Sequence, residues 1–363
     1  MAFDPKFSIS PAIAKALMGI EADRQAISEL PLTSVMLQSL RESARLMSTH
    51  FSTQIEGNRL TEAQVREVMD GGGRFPGRER DEREVRCYFR ALEYLEASIQ
   101  DNVPISEKLI QRMHGYAFNG HGRATTYRDG QNVIRNSSDG GIVYMPPEAK
   151  DVPVLMRELV EWIIAEAKKD ELPIPIIAGL VHYQFATIHP YYDGNGRTAR
   201  LLTTYILHHY GYALKGIYSL DAYYARQLED YYNALTIGGG HNYYVCNRAQ
   251  ADVTPFVNYF IAGMADSFAN VRKHAEAEKN TKQFDQSKVL RLLSAQQRQI
   301  LEVFRLQSIV NARQVAEYFK LSQRQANRYC LQWVEDGFLV IVDSSKRTRS
   351  YRLADEYEAL FTE

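Results

Sequence analysis

The 363-residue sequence predicts a mainly α-helical chain with one small β-hairpin, followed by a separate helix-rich segment that ends in two short strands. Three observations predict it. Amphipathic stretches with apolar residues three and four apart recur through the first part. β-prone runs are confined to two places, each bounded by turn residues. A polar stretch from His274 to Lys288 interrupts the apolar pattern, which resumes beyond it. The chain is therefore divided into an N-terminal helical region (1–110), a core (111–273), a linker (274–288) and a second domain (289–363).

In chain order, Ala12 to Ala22, Thr33 to Thr49, Glu62 to Met69 and Glu82 to Ile99 carry the helical pattern. Gly71 to Gly73 and Gly238 to Gly240 read as flexible turns. Gln131 to Ile134 and Gly140 to Pro147, joined by Asn-Ser-Ser-Asp-Gly-Gly, read as a hairpin. Ile176 to Ala186 has helical spacing, and Pro190 cannot continue a helix, so the chain turns just after His189. Thr198 to Leu207 reads as the next helix, which leaves Asp193-Gly194-Asn195-Gly196 as a loop feeding its N-terminus. Tyr223, Tyr224 and Tyr231 to Leu235 fall on a further helix. Beyond the polar stretch come helices at Arg298 to Phe304, Ala312 to Phe319 and Gln323 to Val334, with a turn at Leu321-Ser322. Strands follow at Gly337 to Val342 and Ser350 to Leu353.

The chemistry is concentrated in His189-Pro-Tyr-Tyr-Asp-Gly-Asn-Gly-Arg-Thr-Ala-Arg200. A helix N-terminus with unpaired N–H groups favours an anion, and glycines let the backbone approach it closely. Arg197 and Arg200, three apart, can project toward one phosphate chain. Asp193 offers a hard oxygen to Mg²⁺, and His189 suits proton abstraction from a hydroxyl. Each residue alone has an ordinary reading as a helix end, a surface turn or a solvated arginine; the ordered string points to transfer of a phosphorus-containing group. No Gly-x-x-x-x-Gly-Lys-(Ser/Thr) occurs, which argues against a P-loop enzyme.

This string resembles the signature of the Fic family, His-Pro-Phe-x-(Asp/Glu)-Gly-Asn-Gly-Arg-x-x-Arg, departing from it only at Tyr191. The resemblance covers roughly Asp4 to Met264 and implies a Fic-type helical bundle as the catalytic core. It implies AMP transfer from ATP to a hydroxyl side chain of a target protein or of the chain itself. His189 would be the base and Asp193 the Mg²⁺ ligand. Gly194, Asn195 and Gly196 would form the anion hole, Arg197 and Arg200 would take the outer phosphates, and Thr198 and Ala199 would complete the nucleotide contacts. The hairpin would be the family's flap, aligning a target strand along Val143, Tyr144 and Met145. Tyr231 and Tyr232 would wall the adenine, although tyrosines at this spacing are as readily core.

A second motif, Ser52-Thr-Gln-Ile-Glu56-Gly57, is similar to the family's inhibitory pattern (Ser/Thr)-x-x-x-Glu-(Gly/Asn). Near a helix end, Glu56 can pair with Arg200 and exclude the γ-phosphate by like-charge repulsion. Taken alone, Glu56 is an ordinary solvated acid.

The C-terminal segment resembles a winged helix-turn-helix with Gln323 to Val334 as its recognition helix. Residues 283–353 hold 12 basic against 6 acidic side chains. Arg324, Gln325 and Arg328 on the helix and Lys346, Arg347 and Arg349 on the wing are candidates for DNA backbone. Protein docking or dimerisation stands equally open for such a module. A homodimer would offer one way to hold or release the inhibitory helix.

The whole-chain net charge of −1 gives no general pull toward nucleic acid or membrane. Cys87, Cys246 and Cys330 fit no zinc spacing and read as reduced thiols of a cytoplasmic protein. No signal pattern and no 18-residue apolar run is present. Two alternatives stay open: an ATP-binding regulator or scaffold with little catalysis, and transfer of a different phosphate-containing moiety.

Overall fold

The computed structural model describes residues 3–30, 32, 34–135, 140–236, 241–245, 250–280, 293–343, 345 and 349–358. The chain divides into two units, Met1–Ala275 and Glu276–Glu363.

In the first unit, α1 (Pro11–Glu29) begins at Ser10, whose hydroxyl accepts the Ile13 N–H, with Pro11 at the first helical position. Helix α2 (Ser34–Ile55) runs well beyond the expected end at Thr49, so Ser52 lies on its last turn and Glu56 just past it. Helix α3 (Glu62–Met69) is closed by a capping box between Thr61 and Gln64. Helices α4 (Glu79–Gln100) and α5 (Glu107–Asn119) follow. Strands β1 (Ile134–Arg135) and β2 (Ile142–Tyr144) pair antiparallel with Ile134 opposite Tyr144. The chain continues through α6 (Val152–Lys169), α7 (Ile174–Ile188), α8 (Asn195–His209), α9 (Asp221–Arg226), α10 (Leu228–Leu235) and α11 (Thr254–Asn280), whose residues beyond Ala275 count with the second unit.

Helix α7 is the buried axis. Nearly all of its side chains are inside, as expected for a helix that is apolar all round. It packs on α8 and α6, while α5 and α4 pack on α8. Phe256 and Phe260 on α11 close the core against it, each contributing about 2 kcal/mol by burial. Gly179 allows that approach, because a Cβ there would lie 2.9 Å from the Phe260 ring.

Helix α11 extends to Asn280, so the first half of the expected linker is helical. The run His-Ala-Glu-Ala-Glu-Lys is polar, yet Ala, Glu and Lys are good helix formers. Residues 281–288 lie outside those described.

The second unit contains α12 (Ala295–Leu306), β3 (Val310–Asn311), α13 (Ala312–Phe319), α14 (Gln323–Glu335), β4 (Leu339–Asp343), β5 (Ser350–Leu353) and α15 (Asp355–Glu358). All three longer helices start in capping boxes, at Ser294, Asn311 and Ser322. The strands form an antiparallel sheet in the order β3-β5-β4. Ile300, Val315, Ala326, Cys330, Trp333, Phe338 and Tyr351 share one buried core. Strand β3 was not expected; two residues are too few to show a period. Among the described residues, no helix is long and apolar enough to cross a membrane.

Candidate active site

The site forms where α7 ends and α8 begins. His189 caps α7 in a left-handed conformation (φ 50°) and donates its N–H to the Phe185 carbonyl at 3.0 Å. A non-glycine residue in that region is uncommon and needs support from its surroundings. Gly194, also left-handed (φ 77°), starts α8. The helix therefore begins three residues before Thr198, and only Asp193 and Gly194 of the Asp-Gly-Asn-Gly run remain in the loop.

That early start reassigns several side chains. Asn195 accepts the Tyr191 N–H at 2.9 Å and donates to the Tyr191 carbonyl at 2.8 Å, so its amide closes the loop and does not face a ligand. Thr198 donates its hydroxyl proton to the Gly194 carbonyl at 2.8 Å, and Ala199 is buried in the core. Neither side chain is presented to a nucleotide. What remains for an anion is backbone: the N–H groups ahead of Thr198 are those a helix leaves without internal acceptors.

His189 is half-buried, and burial pushes its pKa down to about 4, with Arg128 adding to the fall while Ala186, Glu56 and Asp193 oppose it. The ring is thus neutral at pH 7. Its Nδ1 faces the Ala186 carbonyl at 3.4 Å, which favours the tautomer with Nε2 free to accept a proton. Asp193 has a side chain 53% exposed; one oxygen accepts the Gly194 N–H at 2.5 Å and lies 3.5 Å from Arg197 Nη2. No cluster of three metal-binding side chains occurs among the described residues. A Mg²⁺ ion here fits only as one held by a single carboxylate, with phosphate and water completing its shell. Beneath this loop, His114 bonds the Asp193 carbonyl at 2.9 Å and stacks on Tyr191 at 3.6 Å between ring centroids.

Arg200, with a side chain 1% exposed, is the electrostatic centre. Its Nε donates to Ser52 Oγ at 2.7 Å, and its Nη2 donates to the Ser52 carbonyl at 2.9 Å and to Glu56 Oε1 at 2.8 Å. Glu56 is 27% exposed on its side chain and rests against Gly196, where an added Cβ would fall 2.2 Å from Oε1. Asp221, buried at the start of α9, places Oδ1 3.3 Å from Arg200 Nε. Burial works against the charge on Arg200, but Glu56, Tyr231 and Asp221 outweigh it and hold its pKa above the ordinary value. Burial raises the Asp221 pKa against the pull of Arg200 and Ser52.

Arg197 does not share this arrangement. It is buried, its Nη1 donates to the Ala117 carbonyl at 3.1 Å, and it ties α8 to α5. Three residues along a helix turn the two side chains toward different neighbours, so one phosphate-facing pair is not what this conformation presents. Asp221 was missed by sequence reading; an acid in the first turn of a helix gives no signal of an arginine 21 positions earlier in the chain.

The two candidate adenine tyrosines separate. Tyr231 is core: its hydroxyl is 2.9 Å from His182 Nε2, and its ring stacks on Tyr224 at 4.9 Å. Tyr232 is 47% exposed and donates to the Ile55 carbonyl at 3.1 Å, beside Glu56. On the hairpin, Tyr144 is buried and donates to the Thr187 carbonyl at 2.9 Å. The edge at Val143 to Met145, expected to be open, carries a partner. Met145 donates to the His241 carbonyl at 2.6 Å and accepts the Tyr243 N–H at 3.0 Å, while His241 Nδ1 lies 2.9 Å from the Val143 carbonyl. Gly57, at φ 90°, ends the segment that carries Ser52 and Glu56 as a glycine can.

In the second unit, Arg324 and Arg328 are exposed on α14. Gln325 is exposed too, but its side-chain oxygen is engaged by Ser322 in the capping box. Arg349 is half-buried beside Tyr351. Lys346 and Arg347 lie outside the described residues, as does Cys246; Cys87 and Cys330 are buried free thiols.

Residues 104–207 match the model of the Fic/DOC family, a range that holds the whole His189 to Arg200 string. The chain is 28% identical over 246 residues to a protein adenylyltransferase Fic of Drosophila willistoni, covering 68% of this chain and 45% of that protein. A counterpart from Drosophila grimshawi matches at the same identity, with 46% of its length covered. The chain spans about half the length of the curated relatives it matches. Among solved structures, a Fic family protein from Desulfovibrio desulfuricans G20 shares the fold, with a TM-score of 0.59, 24% identity and coverage of 97% of this chain and 99% of that one. Fic-1 (134–508) from C. elegans is similar at a TM-score of 0.59 and 25% identity, over 74% of each chain.

Proposed function

We propose that this chain is a protein adenylyltransferase held inactive by its own Glu56. The family match and the adenylyltransferase relatives support the reaction class. The observation that carries the inhibitory part is Glu56 Oε1, 2.8 Å from Arg200 Nη2 and set against Gly196 at the start of α8. A carboxylate in that position takes the anion's place and its counter-charge together.

In the released state the hydroxyl oxygen of a target Tyr, Ser or Thr attacks the α-phosphorus of ATP. The new O–P bond forms as the α–β phosphoanhydride bond breaks, and pyrophosphate leaves. His189 Nε2 takes the hydroxyl proton, its neutral state fixed by burial. The N–H groups at the start of α8 and Arg200 hold the phosphates. Asp193 would hold Mg²⁺, which neutralises phosphate charge when bound. Targets include other proteins and the chain itself.

We read the second unit as a winged helix-turn-helix: α13 and α14 joined by a tight turn, then a β4–β5 wing. Arg324 and Arg328, both exposed on α14, support contact with DNA phosphates. A homodimer and a cytoplasmic location complete the proposal; the buried free thiols of Cys87 and Cys330 support a reducing compartment.

Intact-mass spectrometry after incubation with ATP and Mg²⁺ tests the core of it. A gain of one adenylyl group is expected for Glu56→Gly and none for Glu56→Gly/His189→Ala. Equal gain in both proteins removes His189 as the base; failure of Glu56→Gly to react with ATP, alone or with cell extract, removes the activity.

A further inference from the structure

Arg128 lies outside both motifs and is 3% exposed. Among the described residues no carboxylate pairs with it. Its guanidinium is spent on three backbone carbonyls: Nε donates to His189 O at 2.9 Å, Nη1 to Gly130 O at 3.0 Å, and Nη2 to Pro147 O. Its own N–H donates to Pro190 O at 2.9 Å. A buried cation facing only neutral carbonyls is costly to keep. The carbonyls it serves lie on two separate pieces of chain: Gly130 and Pro147 flank the β1–β2 hairpin, and His189 and Pro190 form the turn that carries the base.

We infer that Arg128 is a positioning residue that locks the left-handed turn at His189 to the foot of the hairpin, so that the base and a chain docked on the hairpin are held in one frame. Neighbouring contacts run in the same direction. Asn132 Nδ2 donates to Tyr191 O at 3.2 Å and Tyr144 to Thr187 O at 2.9 Å, while Gln131 Nε2, donating to Pro146 O at 3.0 Å, closes the foot of the hairpin itself. Among the described residues, Arg128 alone bonds carbonyls on both pieces through a single rigid group. His189 needs that support because its φ of 50° is disfavoured for a side chain with a Cβ. Lysine keeps the charge but has no planar fork, so it cannot reproduce three divergent bonds.

The inference rests on the adenylyl-transfer reading, and its test separates the two. The Glu56→Gly and Glu56→Gly/Arg128→Lys forms of the 363-residue chain are compared with ATP and Mg²⁺ for AMP incorporation, and by hydrogen–deuterium exchange. We expect kcat to fall about 100-fold, the order set by a base displaced by about 1 Å, while KM for ATP stays within about twofold. Peptides covering 128–134 and 187–192 gain exchange together, and those covering 196–207 do not. An unchanged kcat in a folded Arg128→Lys protein overturns the inference. So does exchange that rises throughout α8 with KM and kcat lost alike, since that marks general loosening, or exchange that rises at the hairpin alone. If Glu56→Gly incorporates no AMP, the transfer reading fails by itself, and paired or unpaired exchange at the two segments still decides the coupling.

Discussion

Replacing Glu56 by glycine removes one charge-assisted hydrogen bond from Arg200, and the structure sets how much that is worth. Bonds to a charged partner contribute about 1.5–3 kcal/mol. Stranding a buried charge would cost about 3–5 kcal/mol, but Arg200 keeps Asp221 at 3.3 Å and both Ser52 bonds. The lower range applies, and a restraint of about 2 kcal/mol corresponds to about a 30-fold shift toward the released state. Initial rates of AMP incorporation, followed by intact mass at subsaturating ATP, are expected to rise by about that factor. Glu56→Gln keeps a neutral bond and should release about fivefold. The order wild type, Gln, Gly is the signature of a charge-dependent lock. Equal rates in all three proteins, with ATP shown to bind each, refute the reasoning. A Gln variant as active as Gly would assign the block to carboxylate charge alone.

Tyr232→Phe deletes the bond to the Ile55 carbonyl at the end of α2; a loss of about 1 kcal/mol should raise basal incorporation about fivefold, and no change would detach Tyr232 from the proposed Glu56 lock. His182 sits between Thr203 and Tyr231 with its pKa pushed down to about 3 by burial, helped by Arg200. Below pH 6.5 the unfolded chain takes a proton there and the folded one does not, so stability present above pH 6.5 falls as pH falls, by about 2 kcal/mol at pH 5 from this group. Denaturant melts at pH 7 and pH 5 should show a smaller gap in His182→Gln; the same gap would contradict the assignment. Gly179→Ala forces a Cβ to 2.9 Å from Phe260 and should cost about 1–3 kcal/mol in the same melts, whereas a neutral effect would mean the α7–α11 contact yields. Arg324→Ala and Arg328→Ala should each lower the salt dependence of binding to a DNA duplex by about one ion; unaltered slopes would exclude α14 from the phosphate contact.

The amphipathic helices, the turn at His189 and the hairpin were legible because each has a local cause: a 3.6-residue stripe, Pro190, or turn residues between β-prone runs. The partnership of Glu56 with Arg200 was legible only because two motifs occurred together, 144 positions apart. Asp221, His114 and Arg128 were not, since each acts through a neighbour brought in by packing and carries no spacing of its own. Tyr231 and Tyr232 show the limit sharply. Adjacent in sequence, they face opposite environments because α10 lies on the protein surface, and only tertiary contact decides which side is inside. The helical start at Asn195 was hidden because glycine and asparagine are poor helix formers, yet here Gly194 supplies the entry and Asn195 fastens the loop to it.

Were a target strand to add to the hairpin, the pairing of Met145 with His241 and Tyr243 would bear on selectivity. A peptide seeking to extend the hairpin at that edge meets a competitor on the same polypeptide, present at an effective concentration of about millimolar order. Sequences that only match the backbone pattern gain nothing by displacing it, because main-chain bonds are exchanged one for one. Discrimination would then pass to the side chains of the incoming strand, so an edge open to almost any extended strand would become a filter for the few that displace its tethered occupant.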